Sequence, residues 1–468
     1  MQLTTSSTPP QAYDKEYALD IKAQKARYHL LDFAQYTLPS YETAPHLHQI
    51  ASQLEAVERG DIKRLMVFVP PRHGKSELCS IRFPAWYLGR NPQHQIIACS
   101  YAIDLARTFS YAVRQTILSD RYQELWDRQL DIGQMTHWQL VGKDNLRPSY
   151  IAQGVGGGIT GEGADLLILD DPIKNAEQAG SKTYRDTVWQ WWITTAMTRL
   201  QPGGAVILIM TRWHEDDLAG RILKSAKSNR DADQWEVLHL KALDKGKALW
   251  PERYPVEALE RIRAGQSDDP DAPGAGSRAF EALYQGNPTM EQGNIFRREW
   301  WKYYSERPVF SRIIHSWDTA FKGGTESDYS VCQVWGKAET GYYLLDVWRQ
   351  RAEYPELKRA AVALYERDHP ATVYVEDKAS GQSLIQELKR DTIIPIRAVK
   401  VDRDKVARAH AVTPLIESGR VYLPDRAPWL HTLIEELSSF PSGEHDDQVD
   451  ALTQALSQLK TDRQWLVG

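Results

Sequence analysis

Apolar residues fall into two textures along the first half of this chain. One is the short, nearly continuous run: Leu65–Val69, Gln95–Ser100, Leu166–Leu169 and Ala205–Met210. Runs of that length bounded by Gly, Pro or polar residues predict buried strands. The other texture is an apolar spacing of three and four, from about Glu16 to Tyr36 and from His46 to Glu58, and again after Ser76 and after Ile103. That spacing predicts helices. Buried strands alternating with helices predict a mainly parallel sheet covered on both faces. Residues 1–15 are polar, contain Pro9-Pro10, and predict a loose tail.

The texture changes from about Trp250 to Gln292, where Ser267–Ser277 is rich in Asp, Pro and Gly and reads as an exposed loop or linker. Beyond it, strands are predicted near Ile313–Asp318, Ser330–Gly336 and Tyr342–Gln350. A helix from about Tyr354, a strand at Thr372–Glu376 and a helix after Ser380 follow. A strand at Ile394–Val399, a helix from Lys405 and a last helix from about Asp446 close the series. Three strands joined by short turns, then helix-strand-helix units, is the order of a ribonuclease H-like fold. The expected organisation is α/β throughout: a parallel-sheet domain over 1–250, a linker over 251–305 and a ribonuclease H-like domain over 306–468.

Composition narrows this picture. A chain of 468 residues is long enough for two or three domains with their own cores. Its net charge of −5 is not that of a protein that grips nucleic acid statically, so any such contact must use local patches. Cys79, Cys99 and Cys332 are far apart, without metal-ligand spacing, and read as small buried apolar residues. Trp189, Trp191 and Trp192 read as packing between helices. The longest aliphatic run, Ala205–Met210, is too short to span a bilayer, and the N-terminus lacks the pattern of a secretion signal.

Candidate chemistry gathers first at Val69-Pro70-Pro71-Arg72-His73-Gly74-Lys75-Ser76, between a predicted strand and a predicted helix. A phosphate loop needs that context: backbone N–H groups at a helix N-terminus bind phosphates, Lys75 adds a point charge and Ser76 an oxygen for Mg²⁺. Arg72, His73, Gly74 and Glu77 complete the candidate ATP-binding segment. The usual pattern opens with Gly where Val69 stands, and a strand-to-helix turn with an exposed lysine is the plain alternative. Downstream, Asp170 ends an aliphatic strand, as a carboxylate that holds Mg²⁺ through water does. Asp171 takes the place where many such ATPases carry the glutamate that orients the attacking water, with Glu177 and Glu215 as alternatives. A turn before Pro172 is the bland reading of that pair. Thr211 and Arg212, at the end of the next strand, are candidates for sensing the γ-phosphate. Arg72, or an arginine from a neighbouring subunit, is a rival for that role, and a capping threonine with a surface salt bridge explains Thr211 and Arg212 equally. Gln49 is a candidate for reading the adenine edge, against an ordinary solvated glutamine. The glycine-dense run Gly154–Gly163 serves either close backbone approach or a flexible connection.

The second gathering is Asp318, Glu376, Asp447 and Asp450. Two-metal phosphodiester cleavage needs carboxylates that hold ions about 3.5–4 Å apart. A ribonuclease H-like fold builds that site from its first strand, its fourth strand and a late helix. Asp318 and Glu376 end those two strands, and Asp447 and Asp450, three apart, share one helix face. Asp446 reads as an N-cap. Asp328, Lys378 and His445 are candidates for a supporting shell or for DNA contacts, Asp346 for plain surface charge, and Lys405, Arg408 and Arg420 for a local phosphate-binding surface, against an ordinary solvated helix face.

These strings together resemble the large subunit of a tailed-phage terminase. They are Pro71-Arg72-His73-Gly74-Lys75-Ser76-Glu77, Thr160-Gly161-Glu162-Gly163-Ala164-Asp165 running into Leu169-Asp170-Asp171-Pro172, Thr211-Arg212-Trp213, Trp317-Asp318, Val375-Glu376 and His445-Asp446-Asp447-Gln448-Val449-Asp450-Ala451. The resemblance covers about Pro45 to Gln458. It implies ATP-driven translocation of double-stranded DNA into a procapsid and cleavage of the concatemer, with Mg²⁺ (Mn²⁺ as an option at the nuclease). It further implies a small terminase subunit, docking on a portal protein, a ring of subunits, often five, and work in the cytoplasm of the infected bacterium and not in the mature virion. Val69 and Asp171 depart from the family pattern. A helicase-type or repair ATPase fused to a nuclease would need further motor motifs on a second sheet. A silent scaffold would not need the full set of acids.

Overall fold

The computed structural model describes residues 20–131, 133–142, 147–159, 161–229, 231–264, 274–288, 295–320, 329–400, 404–443 and 445–461. The chain divides into two compact units, Met1–Leu259 with Glu281–Thr289, and Glu260–Phe280 with Met290–Gly468.

The first unit is built on seven strands: β1 Arg64–Phe68, β2 Ile96–Ser100, β3 His137–Trp138, β4 Tyr150–Gly154, β5 Ala164–Asp170, β6 Leu200–Met210 and β7 Glu236–His239. Their order is β3-β4-β2-β5-β6-β1-β7. Every pairing is parallel except that of β3 with β4. The central strands are apolar on both faces because helices cover both. Register sets Ser100 beside Asp170, Asp170 beside Ile209 and Phe68 beside Met210. The carboxyl ends of β1, β5 and β6 therefore meet on one edge, where open α/β sheets place ligands.

Four strands match the predicted runs, and three were not predicted. β7 is a largely exposed edge strand with no continuous apolar run, β3 has two residues, and β4 leads straight into the glycine-dense segment. Gly154 opens that segment at a point of close approach, where a Cβ would lie 2.9 Å from the backbone nitrogen of Ile103. Trp191 and Trp192 are buried, as are all three cysteines. A short hairpin of β8 Leu243–Asp244 and β9 Lys247–Ala248 lies outside the sheet.

The second unit holds β10 Lys302–Tyr304, β11 Arg312–Asp318, β12 Ser330–Ala338, β13 Gly341–Gln350, β14 Thr372–Glu376, β15 Ile396–Val399 and β16 Val421–Pro424, in the order β10-β16-β13-β12-β11-β14-β15. β11, β12 and β13 are antiparallel, and β14 and β15 run parallel to β11. This is the ribonuclease H-like order. β16 and β10 extend the sheet beyond β13 and were not foreseen, since both are short. The span read as a linker contains β10 and the helices Val256–Ala264 and Ser277–Leu283. The last helix, Asp447–Thr461, buries Val449, Leu452, Ala455, Leu456 and Leu459, an apolar stripe of the correct period for packing on the sheet. Among the described residues no helix is long and apolar enough to cross a membrane.

Candidate functional sites

In the first unit the chain leaves β1, turns through Arg72 at φ 59° and Gly74 at φ 83°, and enters a helix. Glycine suits position 74, because φ there is left-handed and a Cβ would stand 3.0 Å from the Leu47 side chain. Lys75 Nζ lies 2.6 Å from Asp171 Oδ2. It also donates to Thr211 Oγ1 at 2.5 Å. The other Asp171 oxygen accepts the Thr211 N–H at 2.7 Å. Asp171 itself sits at φ 45°, a left-handed conformation that Asp tolerates and that turns the chain immediately after β5. The loop lysine, the acid that follows β5 and the threonine that follows β6 thus form one contact set.

Asp170 is buried and its Oδ2 accepts the Ser80 hydroxyl at 2.6 Å, while Oδ1 takes no hydrogen bond. Burial and then the charge of Asp171 push its pKa up to about 6, against the pull of Lys75, Ser80 and Ser76. A buried carboxylate with an unused oxygen, near the Ser76 hydroxyl, fits a hydrated Mg²⁺.

The other candidates are placed as follows. Arg212 is buried, donates from Nε to Asp217 Oδ2 at 2.7 Å and lies 5.0 Å over the Phe68 ring. Asp217 is fully buried and caps the helix Leu218–Ser228 through Gly220 N–H at 2.9 Å. Burial holds the Asp217 carboxyl above its usual range despite Arg212. Glu77 pairs with Arg82 at 2.7 Å, and Arg82 also donates to Thr116 Oγ1, so this acid braces the helix. Arg72 is exposed, as is Gln49 on the helix Pro45–Arg59. The His73 ring is buried, stacks on Tyr254 at 4.8 Å and donates from Nδ1 to Pro71 O at 2.8 Å. Burial lowers its pKa to about 4. His73 thus supports the loop from within the core, a role that a motif reading does not reveal.

In the second unit, pairing of Trp317 with Val375 brings the next residues, Asp318 and Glu376, side by side. They share a hydrogen bond. Burial, then that bond, then the charges of Glu376, Asp450 and Asp447 hold the Asp318 carboxyl well above its usual range. Burial pushes Glu376 up as well, but the proton from Asp318 and the nearby Lys378 and Arg408 outweigh it and bring Glu376 below its usual range. Asp447 and Asp450 are buried on the last helix. That helix is fixed to β11 by Ser316 Oγ donating to Ala451 O at 2.8 Å and by Gln454 Nε2 donating to Ser316 Oγ at 2.9 Å. Glu436 receives the Gln448 N–H at 2.6 Å and its side-chain amide at 2.7 Å, and Arg349 stands 3.2 Å from Glu436.

Four cations enter this acidic cluster. Arg408 Nη2 lies 2.8 Å from Asp450 Oδ1 and Lys405 Nζ 3.0 Å from Asp450 Oδ2. Lys378 Nζ is 2.6 Å from Glu376 Oε1, and Arg349 Nη2 is 4.0 Å from Asp447 Oδ2. Among the described residues no three carboxylate, imidazole or thiol groups already stand at the spacing of a bound ion. The donor set, buried hard oxygens with positive charge drawn to them, nevertheless fits Mg²⁺ or Mn²⁺.

Several expectations change here. Lys405 and Arg408, read as a phosphate-binding surface, are ion-paired with the acids. Arg420 lies at the other end of the sheet, where its carbonyl accepts the Tyr342 N–H. Asp346, read as surface charge, pairs with Arg367 at 2.7 Å and accepts from Trp429 at 3.0 Å. The Asp446 carboxylate holds Lys405 at 2.7 Å. His445 meets Tyr329 edge-on. Asp328 falls outside the described residues. Arg349, Glu436 and Gln448 were missed. Register alone places Arg349 opposite Val331, which faces Asp318, and no local pattern reports that.

Two family models match the chain. "Terminase large subunit, T4likevirus-type, N-terminal" covers residues 66–303 and "Terminase RNaseH-like domain" covers residues 315–459. No curated protein matches in sequence. Among solved structures, the chain is similar to the large terminase from a thermophilic bacteriophage, with 13% identity, a TM-score of 0.53, and 90% of this chain and 99% of that one covered. The ADP complex of that large terminase aligns over 94% of this chain and 98% of its own, at 13% identity and a TM-score of 0.50. The large terminase nuclease from thermophilic phage G20c with bound magnesium aligns over 36% of this chain and 99% of its own, at 20% identity and a TM-score of 0.29.

Proposed function

This chain belongs to the terminase large-subunit family, and on that premise we propose that it is an ATP-driven DNA-packaging motor and metal-dependent nuclease. Its substrates are ATP and double-stranded viral DNA, and its partners a small terminase subunit, a portal protein and further copies of itself in a ring. It works in the cytoplasm of the infected bacterium. The division of labour assigns ATP turnover to 1–250 and cleavage to 306–468.

The observation that carries the reading is the joint presence of two separate acid sites. At the first, the loop N–H groups and Lys75 would hold the phosphates, with Ser76 and Asp170 holding Mg²⁺. Asp171 is the candidate for orienting water, and Thr211 links it to Lys75. Phosphate arriving at the loop draws Lys75 from Asp171, which frees one carboxylate oxygen for water. Arg72 stays available to the phosphates; Arg212 acts through Asp217 on the fold. Gln49 stands as the adenine contact, and His73 and Glu77 hold the loop and its helix in place.

At the second site Asp318, Glu376, Asp447 and Asp450 would hold the ions. When bound, such ions activate water and stabilise the leaving oxygen of the phosphodiester. The chain itself supplies the fixed helix, the hydrogen-bonded Asp318–Glu376 pair, and Lys378 at the exposed rim.

Lys75→Ala should abolish DNA-stimulated ATP hydrolysis and packaging of linear DNA into purified procapsids, while plasmid nicking persists. Asp318→Ala should do the reverse, sparing ATP hydrolysis. Loss of both activities in either folded variant would overturn the two-site division.

A further inference from the structure

The side chain of Asp450 is 2% exposed and yet engages two cations from one turn of the helix Lys405–Glu417. Lys405 and Arg408 are three residues apart, so they share a helix face. They are not equivalent. Arg408 is 13% exposed, and its planar fork reaches Asp450 at 2.8 Å and Glu376 at 3.8 Å. Lys405 is 42% exposed, and its ammonium bridges two carboxylates, Asp446 Oδ1 at 2.7 Å and Asp450 Oδ2 at 3.0 Å. A single positive centre held between two carboxylate oxygens occupies the electrostatic position of a bridging cation. Lysine is a point charge on a flexible stem, and this one reaches solvent, so phosphate can compete for it.

We propose that Lys405 is an exchangeable counter-ion of the nuclease site, holding Asp450 and Asp446 against divalent metal until a DNA phosphate draws it away, so that substrate binding raises metal affinity. Arg408, forked and the less exposed of the two, stays as the fixed partner that positions Asp450. This inference rests on the nuclease reading given above. It explains a physical problem of the site. Buried carboxylates this close need positive charge to fold at all, and metal held permanently would leave the nuclease loaded without substrate.

The test is calorimetric titration of Mn²⁺ into the full chain without nucleotide, repeated with a short duplex carrying a phosphorothioate backbone that resists cleavage. Lys405→Gln should bind Mn²⁺ about tenfold more tightly than the wild type when DNA is absent, the order expected for removing one competing charge at contact distance. The duplex should tighten Mn²⁺ binding by the wild type and change the variant little. Lys405→Arg, which keeps the charge, should stay near the wild type, and Asp318→Asn should lose the binding. Equal or weaker binding by Lys405→Gln, with Asp318→Asn still abolishing it, overturns the inference alone. Equal tightening by Lys405→Arg and Lys405→Gln also overturns it. If Asp318→Asn binds Mn²⁺ like the wild type, the nuclease reading falls and the inference with it.

Discussion

Replacing Arg212 by Ala separates a structural from a catalytic role for the arginine just beyond β6. Its guanidinium donates to Asp217 at 2.7 Å, and Asp217 is fully buried. Removing one partner of a buried pair costs about 3–5 kcal/mol, because the other is left without its counter-charge. Loss of the cation–π contact with Phe68 adds roughly 0.5–1 kcal/mol. Asp217 relieves part of the cost by taking a proton, which its raised pKa already favours, and it still caps Gly220. The net expectation is a loss of about 4 kcal/mol, a large share of a typical stability of about 5–15 kcal/mol. For a unit of this size that lowers the melting temperature by roughly 8–16 °C. The paired variant Arg212→Met with Asp217→Asn keeps a neutral cap and no orphan charge, and should recover most of the loss. Calorimetric melting and ATP turnover of both variants decide the matter. A single variant that melts within about 1 kcal/mol of the wild type refutes the structural reasoning. A stable double variant without turnover gives Arg212 a phosphate-sensing role as well.

Three further outcomes follow from the same contacts. The His73 pKa of about 4 lies below its unfolded value, so the stabilising contribution is complete above pH 6.5 and is lost as pH falls towards 4; urea melts at pH 7 and 5 should differ by up to about 2 kcal/mol, and a His73→Gln variant that keeps the same pH dependence would exclude this residue as its source. Asp171→Asn should cut ATP turnover by about a hundredfold or more, the range for a lost water-orienting group, with ATPγS affinity retained in equilibrium titration; unchanged turnover would remove Asp171 from the reaction. Glu436→Leu strands the Gln448 N–H and Arg349, and should lower plasmid cleavage and the melting temperature while leaving ATP hydrolysis by the other unit intact; normal cleavage would show that the last helix keeps its position without that cap.

The fold was legible wherever strand burial wrote itself as a run. Leu166–Leu169 and Thr372–Glu376 are buried on both faces, and the sequence pattern has no solvent side to interrupt it. The elements that escaped are those whose stability comes from pairing. β7 has one half-buried residue and three exposed ones, and it is held by β1, a partner far away in sequence. β10 and β16 have three and four residues and stabilise each other. A local window cannot see such partners, because the hydrogen bonds that define the strand lie outside it.

The sites divide along the same line. Acids at strand ends and a glycine before a lysine are marked in sequence, since the chemistry requires those residue types at those places. What the marked residues touch is not marked. Asp171 is a water-orienting candidate by position, yet its two oxygens are spoken for by Lys75 and the Thr211 N–H. Lys405 and Arg408 look like a basic helix face and are instead counter-charges of Asp450. The reason is common to both. Buried carboxylates gathered for a cation must have their charge met in every state of the protein, so the chain carries its own cations to the same oxygens. A lysine or arginine near such acids is then first a counter-ion, and a contact for phosphate only when substrate outbids the carboxylate. That ordering predicts that basic residues closest to the reacting acids act by exchange, whereas those on outer surfaces, such as exposed Arg72, act by simple attraction.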